Sequence, residues 1–232
     1  MSKVWLITGC SSGFGREIAL AAARRGDTVV ATACNISNIE DLEKLGLNIM
    51  AKRLDVLDSD EQLNATIADI IKSVGRIDIL VNNAGYVLEG AIEECSAVLP
   101  QMSSARWQSS EQWLHNYMRA QRSGTIANLG SICGWRGSAS VGIYCAAKGA
   151  IALYSEALKG ELSPFGIDVT CIEPGYFRTN FLVSGNRTVA KNRIPELSSI
   201  TGEAKDRLDA YNKKQAGDPV KGATVIVQAL TK

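Results

Sequence analysis

The stretch VWLITGCSSGFGRE, residues 4–17, passes without a break from an apolar run into a glycine-rich turn and on into a helix. VWLIT at 4–8 has the length and apolar character of a buried strand, and REIALAAARRG at 16–26 carries a clear helical face and ends in glycine. Gly9, Gly13 and Gly15 stand where the strand turns into the helix. Glycine there permits a tight turn, close approach of the backbone to a pyrophosphate, and close helix–strand packing. The helix N-terminus supplies unpaired N–H donors for the anion. The spacing is G-x-x-x-G-x-G and not the commoner G-x-G-x-x-G, and in isolation it reads equally well as a plain turn. Placed after the first strand of a βαβ series, it favours dinucleotide binding.

Such a series does follow. TVVATA at 28–33, IMAKRLDV at 49–56, IDILVNN at 77–83, GTIANLG at 124–130 and IDVTCIEPG at 167–175 are short apolar runs separated by ten or more residues. DSDEQLNATIADIIKSVG at 58–75 opens on capping residues and closes on glycine, and IYCAAKGAIALYSEALKGEL at 143–162 is the longest apolar helical run, ended by Pro164. Strands covered on both faces by helices predict an α/β fold with a doubly wound parallel sheet in three layers, ligands binding at the carboxyl ends of its strands. A chain of 232 residues is read as a single domain, 1–232.

Composition narrows the function classes. A net charge of +1, with basic and acidic residues interspersed, argues against nucleic acid as a partner. No apolar run approaches the roughly 20 residues that span a bilayer, so no membrane is expected, and the start MSK leads straight into a strand, as in a cytoplasmic protein. One histidine and six cysteines without CxxC spacing predict no metal site and buried reduced thiols rather than a disulfide framework.

Two further features carry chemistry. The second strand ends ATACN, where Ala33, Cys34 and Asn35 offer no carboxylate to a ribose 2′-hydroxyl. The 2′-phosphate of NADP would meet no repulsion, and Arg16 is a candidate partner for it, though equally readable as a solvated helix residue. NADP(H) is therefore preferred, with NAD(H) as the alternative. Tyr144 and Lys148, four apart in YCAAK, share one face of the long helix. A phenol with a pKa of about 10 is a poor acid or base near neutrality, and an adjacent ammonium would lower that value. Ser131, just after strand GTIANLG, stands where a hydroxyl can bond a substrate oxygen.

TGCSSGFG at 8–15, NNAG at 82–85, Ser131, YCAAK and PGYFRT at 174–179 together make the chain resemble the classical short-chain dehydrogenase/reductase family, over residues 3 to about 97 and about 117 to 230. The resemblance implies a Rossmann-like fold and hydride transfer between a nicotinamide and a small-molecule carbonyl or alcohol. It makes Tyr144 the general acid/base, Lys148 the ribose-holding cation that lowers the tyrosine pKa, and Ser131 the group orienting the substrate oxygen. The cofactor would meet Gly9, Ser11, Ser12, Gly13, Phe14, Gly15 and Arg16 in the glycine loop. Asp55 and Val56 would lie at the adenine, and Asn82, Asn83, Ala84 and Gly85 at the central region. Pro174, Gly175 and Thr179 would flank the nicotinamide. Asn82 and Asn83 also read as loop-stabilising residues. Residues 180–215 correspond to the variable substrate loop.

Two departures stand out. The family's asparagine, slightly over two dozen residues before the catalytic serine, would fall near Ser103 and Ser104 and is absent, and Asn116 is too close to Ser131 to replace it. The stretch QMSSARWQSSEQWLHN at 101–116 shows no apolar stripe at helical spacing, which leaves the core helix and the family's usual homo-oligomer interface in doubt. Second, the sequence stops after GDPVKGATVIVQALTK at 217–232, where most members continue into another strand, so an exposed sheet edge is expected. An impaired homologue that binds nucleotide or a protein partner is thus the alternative to an active oxidoreductase. Read from the third base of plausible codons, residues 101–115 yield a predominantly apolar helix with an asparagine at the family's distance from Ser131. The stretch is therefore expected to be out of frame relative to a typical member, and genomic codons that do not give this reading would overturn the idea.

Overall fold

Alternate residues of the first strand divide the interior in two. In β1 (Val4–Ile7), Trp5 and Ile7 enter one hydrophobic core and Leu6 enters the other. The same alternation recurs in β2 (Thr28–Ala33), where Val29 and Ala31 oppose Val30, and in β4 (Ile79–Asn82), where Ile79 and Val81 oppose Leu80. The computed structural model describes residues 2–95, 106–183 and 185–232, the side chains of 106–113 excepted.

With β3 (Ile49–Arg53), β6 (Gly124–Leu129) and β7 (Ile167–Ile172), these strands form a six-stranded parallel sheet of order β3-β2-β1-β4-β6-β7. The order reverses beside β1, the point at which a doubly wound sheet opens a crevice. Helices α1 (Gly13–Arg24), α2 (Glu40–Glu43) and α7 (Pro219–Leu230) close one core through Ile18, Ala19, Leu42, Ile226 and Val227. On the other face α3 (Asp60–Val74), α4 (Arg106–Gln121) and α5 (Gly142–Leu162) contribute Leu63, Ile67, Leu114, Met118, Leu158 and Leu162. Helix α6 (Ser198–Tyr211) lies in the variable segment.

The helix ends follow from local chemistry. Ser59 accepts from the Gln62 N–H while Gln62 accepts from the Ser59 N–H, a reciprocal cap for α3, and Gly75 closes that helix at φ +79°. Pro164 follows α5 in a short 3₁₀ turn, and Gly166 at φ +72° redirects the chain into β7. Two strands lie outside the sequence-based reading. β5 (Val87–Glu89) and β8 (Arg187–Val189) pair in parallel as a separate two-stranded ribbon. Three residues each are too few to show a period, and their partnership spans about a hundred positions. Among the described residues, β7 has no strand on its outer side.

Over the described residues, the polar stretch before residue 117 is helical from Arg106. α4 runs from Arg106, and Leu114 and Met118, four apart, are buried at 1% exposure each against the α3 face. Full burial of two such side chains contributes on the order of 1.5–3 kcal/mol apiece, enough to seat a helix whose own sequence is polar. Ser103 and Ser104, where the family asparagine would fall, and the Trp107 and Trp113 side chains lie outside the described residues. Asn116 is exposed and bonds Arg119.

His115 sits beside this seam, 4% exposed, and its Nε2 has no hydrogen-bond partner among the described residues. Burial, reinforced by the Arg119 charge, pushes its pKa down from 6.5 to about 4. The folded state therefore rejects a proton that the unfolded chain takes up. No penalty exists above the unfolded value, and up to about 3 kcal/mol of stability is lost as pH falls from there toward the folded value. His115→Leu is expected to be neutral or stabilising at neutral pH. Denaturant unfolding across that acidic window should show a flatter loss of stability in the variant than in the parent.

Candidate active site

Parallel strands end together, so the carboxyl edge of the sheet collects the turns after β1, β4, β6 and β7 in one place. Thr8, the residue after β1, joins two of them. Its hydroxyl accepts from the Asn83 and Ala84 N–H groups at 3.0 Å each and donates to the Val81 carbonyl at 3.4 Å. The Asn83 amide donates in turn to the Thr8 and Gly9 carbonyls at 2.8 and 3.1 Å. Gly9 adopts φ +71°, and a Cβ there would stand 2.9 Å from the Ala84 Cα. On Gly15 a Cβ would fall 2.4 Å from both the Asn83 side chain and the Gly9 carbonyl. Both positions exclude any larger residue. Thr8 was not singled out from sequence, although its place directly before the glycine loop was the available signal.

The glycine loop leads into the N-terminus of α1, a helix of 12 residues with no acidic residue in its first turn and no side chain capping it at Ser12. Its N–H groups are thus available to an anion, and Ser11 is exposed beside them. Gly13, at φ +61°, has the Thr179 side chain 3.4 Å from where its Cβ would be, bringing the loop and the turn after β7 together. The Phe14 ring faces the other way. It meets Phe177 edge-on at 4.8 Å and lies where a Cβ on Gly222 of α7 would touch it, so only its backbone serves the loop. Arg16 is at the surface in an ion pair with Asp41, which lies in α2, after the end of β2. Asp55 and Val56 are partly exposed after β3, the Asp55 carboxylate accepting from the Leu57 N–H at 3.0 Å. Ala84 and Gly85 are exposed, while Asn82 donates to Asn128 at 2.8 Å and Asn128 to Ser155 at 3.0 Å, stitching β4, β6 and α5 together. Pro174 is partly buried and Gly175 exposed in the turn after β7.

Ser131, Tyr144 and Lys148 converge at this edge. Ser131 caps the 3₁₀ turn Ile132–Gly134, accepting from the Cys133 N–H at 3.1 Å, and its hydroxyl lies within reach of the Tyr144 phenol. The turn rests on α5, because a Cβ on Gly134 would stand 3.0 Å from the Lys148 backbone. Lys148 Nζ donates to the Leu129 carbonyl and stands 5.8 Å from the centre of the Tyr144 ring. Phe181 closes the far side of that ring at 5.8 Å between centroids.

The electrostatics differ from the sequence-based expectation that Lys148 lowers the tyrosine pKa. Burial pushes the Tyr144 phenol up to about 12, and only the Ser131 hydroxyl pulls it down. Lys148 is itself pushed down to about 8 by desolvation. Its ammonium donates to the Leu129 carbonyl of β6 and stands 5.8 Å from the centre of the Tyr144 ring. Without nucleotide, the site therefore holds a protonated phenol next to a lysine close to its titration point.

Two buried ion-pair groups were also missed from sequence. Arg187 bonds Glu89 and, at 2.5 Å, Asp209, and Arg193 pairs with Glu94 at 3.3 Å. Glu94 also accepts from the Ala91 and Ile194 N–H groups at 3.0 and 2.9 Å, which hold its carboxyl below the usual range. These contacts fasten the segment 187–209 to residues 89–94 beside the site. Partners about a hundred positions apart leave no periodic trace in a sequence.

The chain matches the short chain dehydrogenase family model over residues 3–190. A short-chain dehydrogenase from Streptomyces avermitilis is 37% identical and superposes with a TM-score of 0.87 over 100% of this chain and 84% of its own. The 3-ketodihydrosphingosine reductase of Bacteroides thetaiotaomicron is 32% identical over 90% of this chain and 73% of its own length. A crystal structure described as ElxO with NADP bound is 25% identical, with a TM-score of 0.79 over 100% of this chain and 92% of that one. A strand order that turns at β1, a glycine loop locked to Asn83, and a relative sharing more than a third of the residues along the whole chain lead to one assignment: this protein belongs to the classical short-chain dehydrogenase/reductase family of oxidoreductases.

Proposed function

We propose that the chain is a single-domain oxidoreductase that transfers a hydride between NADP(H) and a ketone or secondary alcohol, with Tyr144 as general acid/base. The observation that carries this reading is the convergence of Tyr144, Lys148 and Ser131 on the sheet edge that also holds the glycine loop. The residues present fit a dinucleotide. The α1 N-terminus is uncapped by any side chain and free of acidic residues in its first turn, as a pyrophosphate requires. The reductase and the NADP-bound protein among the similar chains support the direction of the chemistry and the class of cofactor.

When bound, the nicotinamide supplies or accepts the hydride. The Tyr144 phenol, protonated at neutral pH, donates its proton to the carbonyl oxygen as that oxygen gains negative charge. Ser131 orients the same oxygen through its hydroxyl. Lys148, already near its titration point, holds the nicotinamide ribose and replaces the phenol's proton. Phe181 packs against the Tyr144 ring and limits its motion. Residues 180–215 supply the substrate loop, anchored through Arg187 and Arg193. Arg16, beside the end of β2, receives the 2′-phosphate in place of Asp41.

Tyr144→Phe is expected to leave NADPH binding, followed by nicotinamide fluorescence, unchanged, and to reduce turnover on a ketone panel by about 10²–10⁴-fold. Equal turnover in the variant would remove Tyr144 from the chemistry. NADPH binding by the parent without turnover on any ketone would favour the impaired homologue instead. A charged hydrogen bond contributes roughly 1.5–3 kcal/mol, so Arg16→Ala should weaken NADPH about tenfold or more relative to NADH. Asp41→Asn, which frees Arg16, should shift the ratio of the two dissociation constants the other way.

A further inference from the structure

Glu94 joins the turn after β5 to the variable segment, and that turn is also the seat on which α5 begins. Its side chain is fully enclosed, in the 3₁₀ turn Glu93–Cys95. One carboxylate oxygen accepts from the Ile194 N–H at 2.9 Å and the other from the Ala91 N–H at 3.0 Å, with the Arg193 guanidinium 3.3 Å away. Arg193 donates in turn to the Thr201 hydroxyl of α6 at 2.5 Å, and Thr201 is itself fully buried. A Cβ on Gly90 would stand 3.4 Å from the Glu94 carboxylate and 2.6 Å from the Ala190 side chain, so the turn, the carboxylate and the end of β8 are in one packed layer. On its other side the turn meets the residues just before Tyr144. The Gly90 N–H donates to the Ser140 carbonyl at 2.8 Å, and the Ile92 side chain lies 3.2 Å from where a Cβ on Gly142 would stand. Leu88 and Cys95 pack with Ile143, the residue before Tyr144. Ser140 needs this support. It holds φ +64°, a left-handed conformation unfavourable for a residue with a side chain, and its hydroxyl is buried without a hydrogen-bond partner among the described residues.

We propose that Glu94 is a positioning residue for hydride transfer: it holds the turn that keeps Ser140 left-handed at the start of α5, and so fixes Tyr144, while it anchors the substrate segment through Ile194 and Arg193. Both contacts require the carboxylate. Three donors converge on its two oxygens, from stretches about a hundred positions apart. An amide in its place keeps one acceptor oxygen and turns an NH₂ group toward donors that need an acceptor. The turn at 90–92 then loses its tie at Ala91, and Ser140 loses the constraint on its backbone. Tyr144 lies in the first turn of α5, so a shift at Ser140 and Gly142 reaches it directly. A displacement of about 1 Å in a reacting group can cost on the order of 10²-fold in rate. Glu94 acts through Ser140 and Gly142 on one side and through Ile194 on the other, with no contact of its own to the Tyr144 phenol. This role rests on the oxidoreductase reading, since what it sets is a rate.

The test is single-turnover oxidation of bound NADPH by ketones of the panel at neutral pH, in the full chain, followed by nicotinamide fluorescence against ketone concentration. The limiting rate reports the placement of Tyr144, and the half-saturating ketone concentration reports the substrate segment. A separate titration gives the NADPH dissociation constant. Glu94→Gln is expected to lower the limiting rate about tenfold or more and to raise the half-saturating concentration, with NADPH binding unchanged. Adding Ser140→Gly, which adopts the left-handed conformation freely, should restore most of the rate and leave the ketone affinity weak. Ile92 is 59% exposed, and Ile92→Ala cuts only the contact with Gly142, so it should lower the limiting rate alone. An unchanged limiting rate in Glu94→Gln would overturn the role. So would a loss of rate that Ser140→Gly leaves unrepaired, or one matched by loss of NADPH binding, because either marks a carboxylate that only stabilises the fold. Should Glu94→Gln not fold, Ile92→Ala decides, and a rate equal to the parent's overturns the role. A parent that turns over no ketone overturns the oxidoreductase reading and this role with it, whereas an active parent matched by its variants overturns the role alone.

Discussion

The contact on which the rest of the site depends is the knot of Thr8, Asn83, Gly9 and Gly15. An amide from the end of β4 reaches across to two carbonyls of the turn after β1, and the Thr8 hydroxyl returns two bonds to the backbone of Asn83 and Ala84. The Thr8 N–H also donates to the Val81 carbonyl and the Cys10 N–H to the Thr32 carbonyl, at 3.0 and 2.8 Å, pairing backbone groups that burial would otherwise penalise. The knot closes because Gly9 and Gly15 lack a Cβ that would otherwise overlap the Asn83 side chain or the neighbouring backbone. It sets how far the glycine loop stands from the sheet, and hence where the first N–H groups of α1 point. Ser131, Tyr144 and Lys148 are gathered at the adjacent strand ends. Asn82, Asn128 and Ser155 carry the alignment from β4 through β6 to α5, the helix bearing Tyr144 and Lys148.

Proton chemistry in this site is governed by burial more than by charge pairing. The phenol rises to about 12 and the ammonium falls to about 8, each in the direction that neutralises it. Lys148 gives its donor to the Leu129 carbonyl of β6. The same enclosure keeps His115 neutral on the other side of α4 from solvent.

The variable segment is held differently from the nucleotide half. Glu89 and Glu94 are almost fully enclosed, and each faces an arginine of the 187–193 stretch. Carboxylates so placed are strongly destabilising if stripped of their partners, so the segment stays closed over residues 89–94. Arg187 also reaches Asp209 in α6, which ties the short ribbon β5–β8 to that helix.

The parallel sheet, its helices and most of the motif positions were legible in the chain because they rest on local rules. Apolar runs of strand length, the Ser59–Gln62 cap, Gly75 and Pro164 each act within a few residues, and the glycine loop is legible from its place directly after the first strand of a βαβ series. The Tyr144–Lys148 pair was legible for the same reason, being four apart on one helix. The polar stretch before residue 117 is helical from Arg106, where Leu114 and Met118 are buried in the core that α3 shares. Tertiary structure alone decided which way Lys148 and Phe14 point, that Arg16 meets Asp41, and that Glu89 and Glu94 clamp the variable segment. The physical reason is common to all of them. Hydrogen bonds, ion pairs and desolvation depend on distances between groups remote in sequence, and only the packed sheet and its helices set those distances.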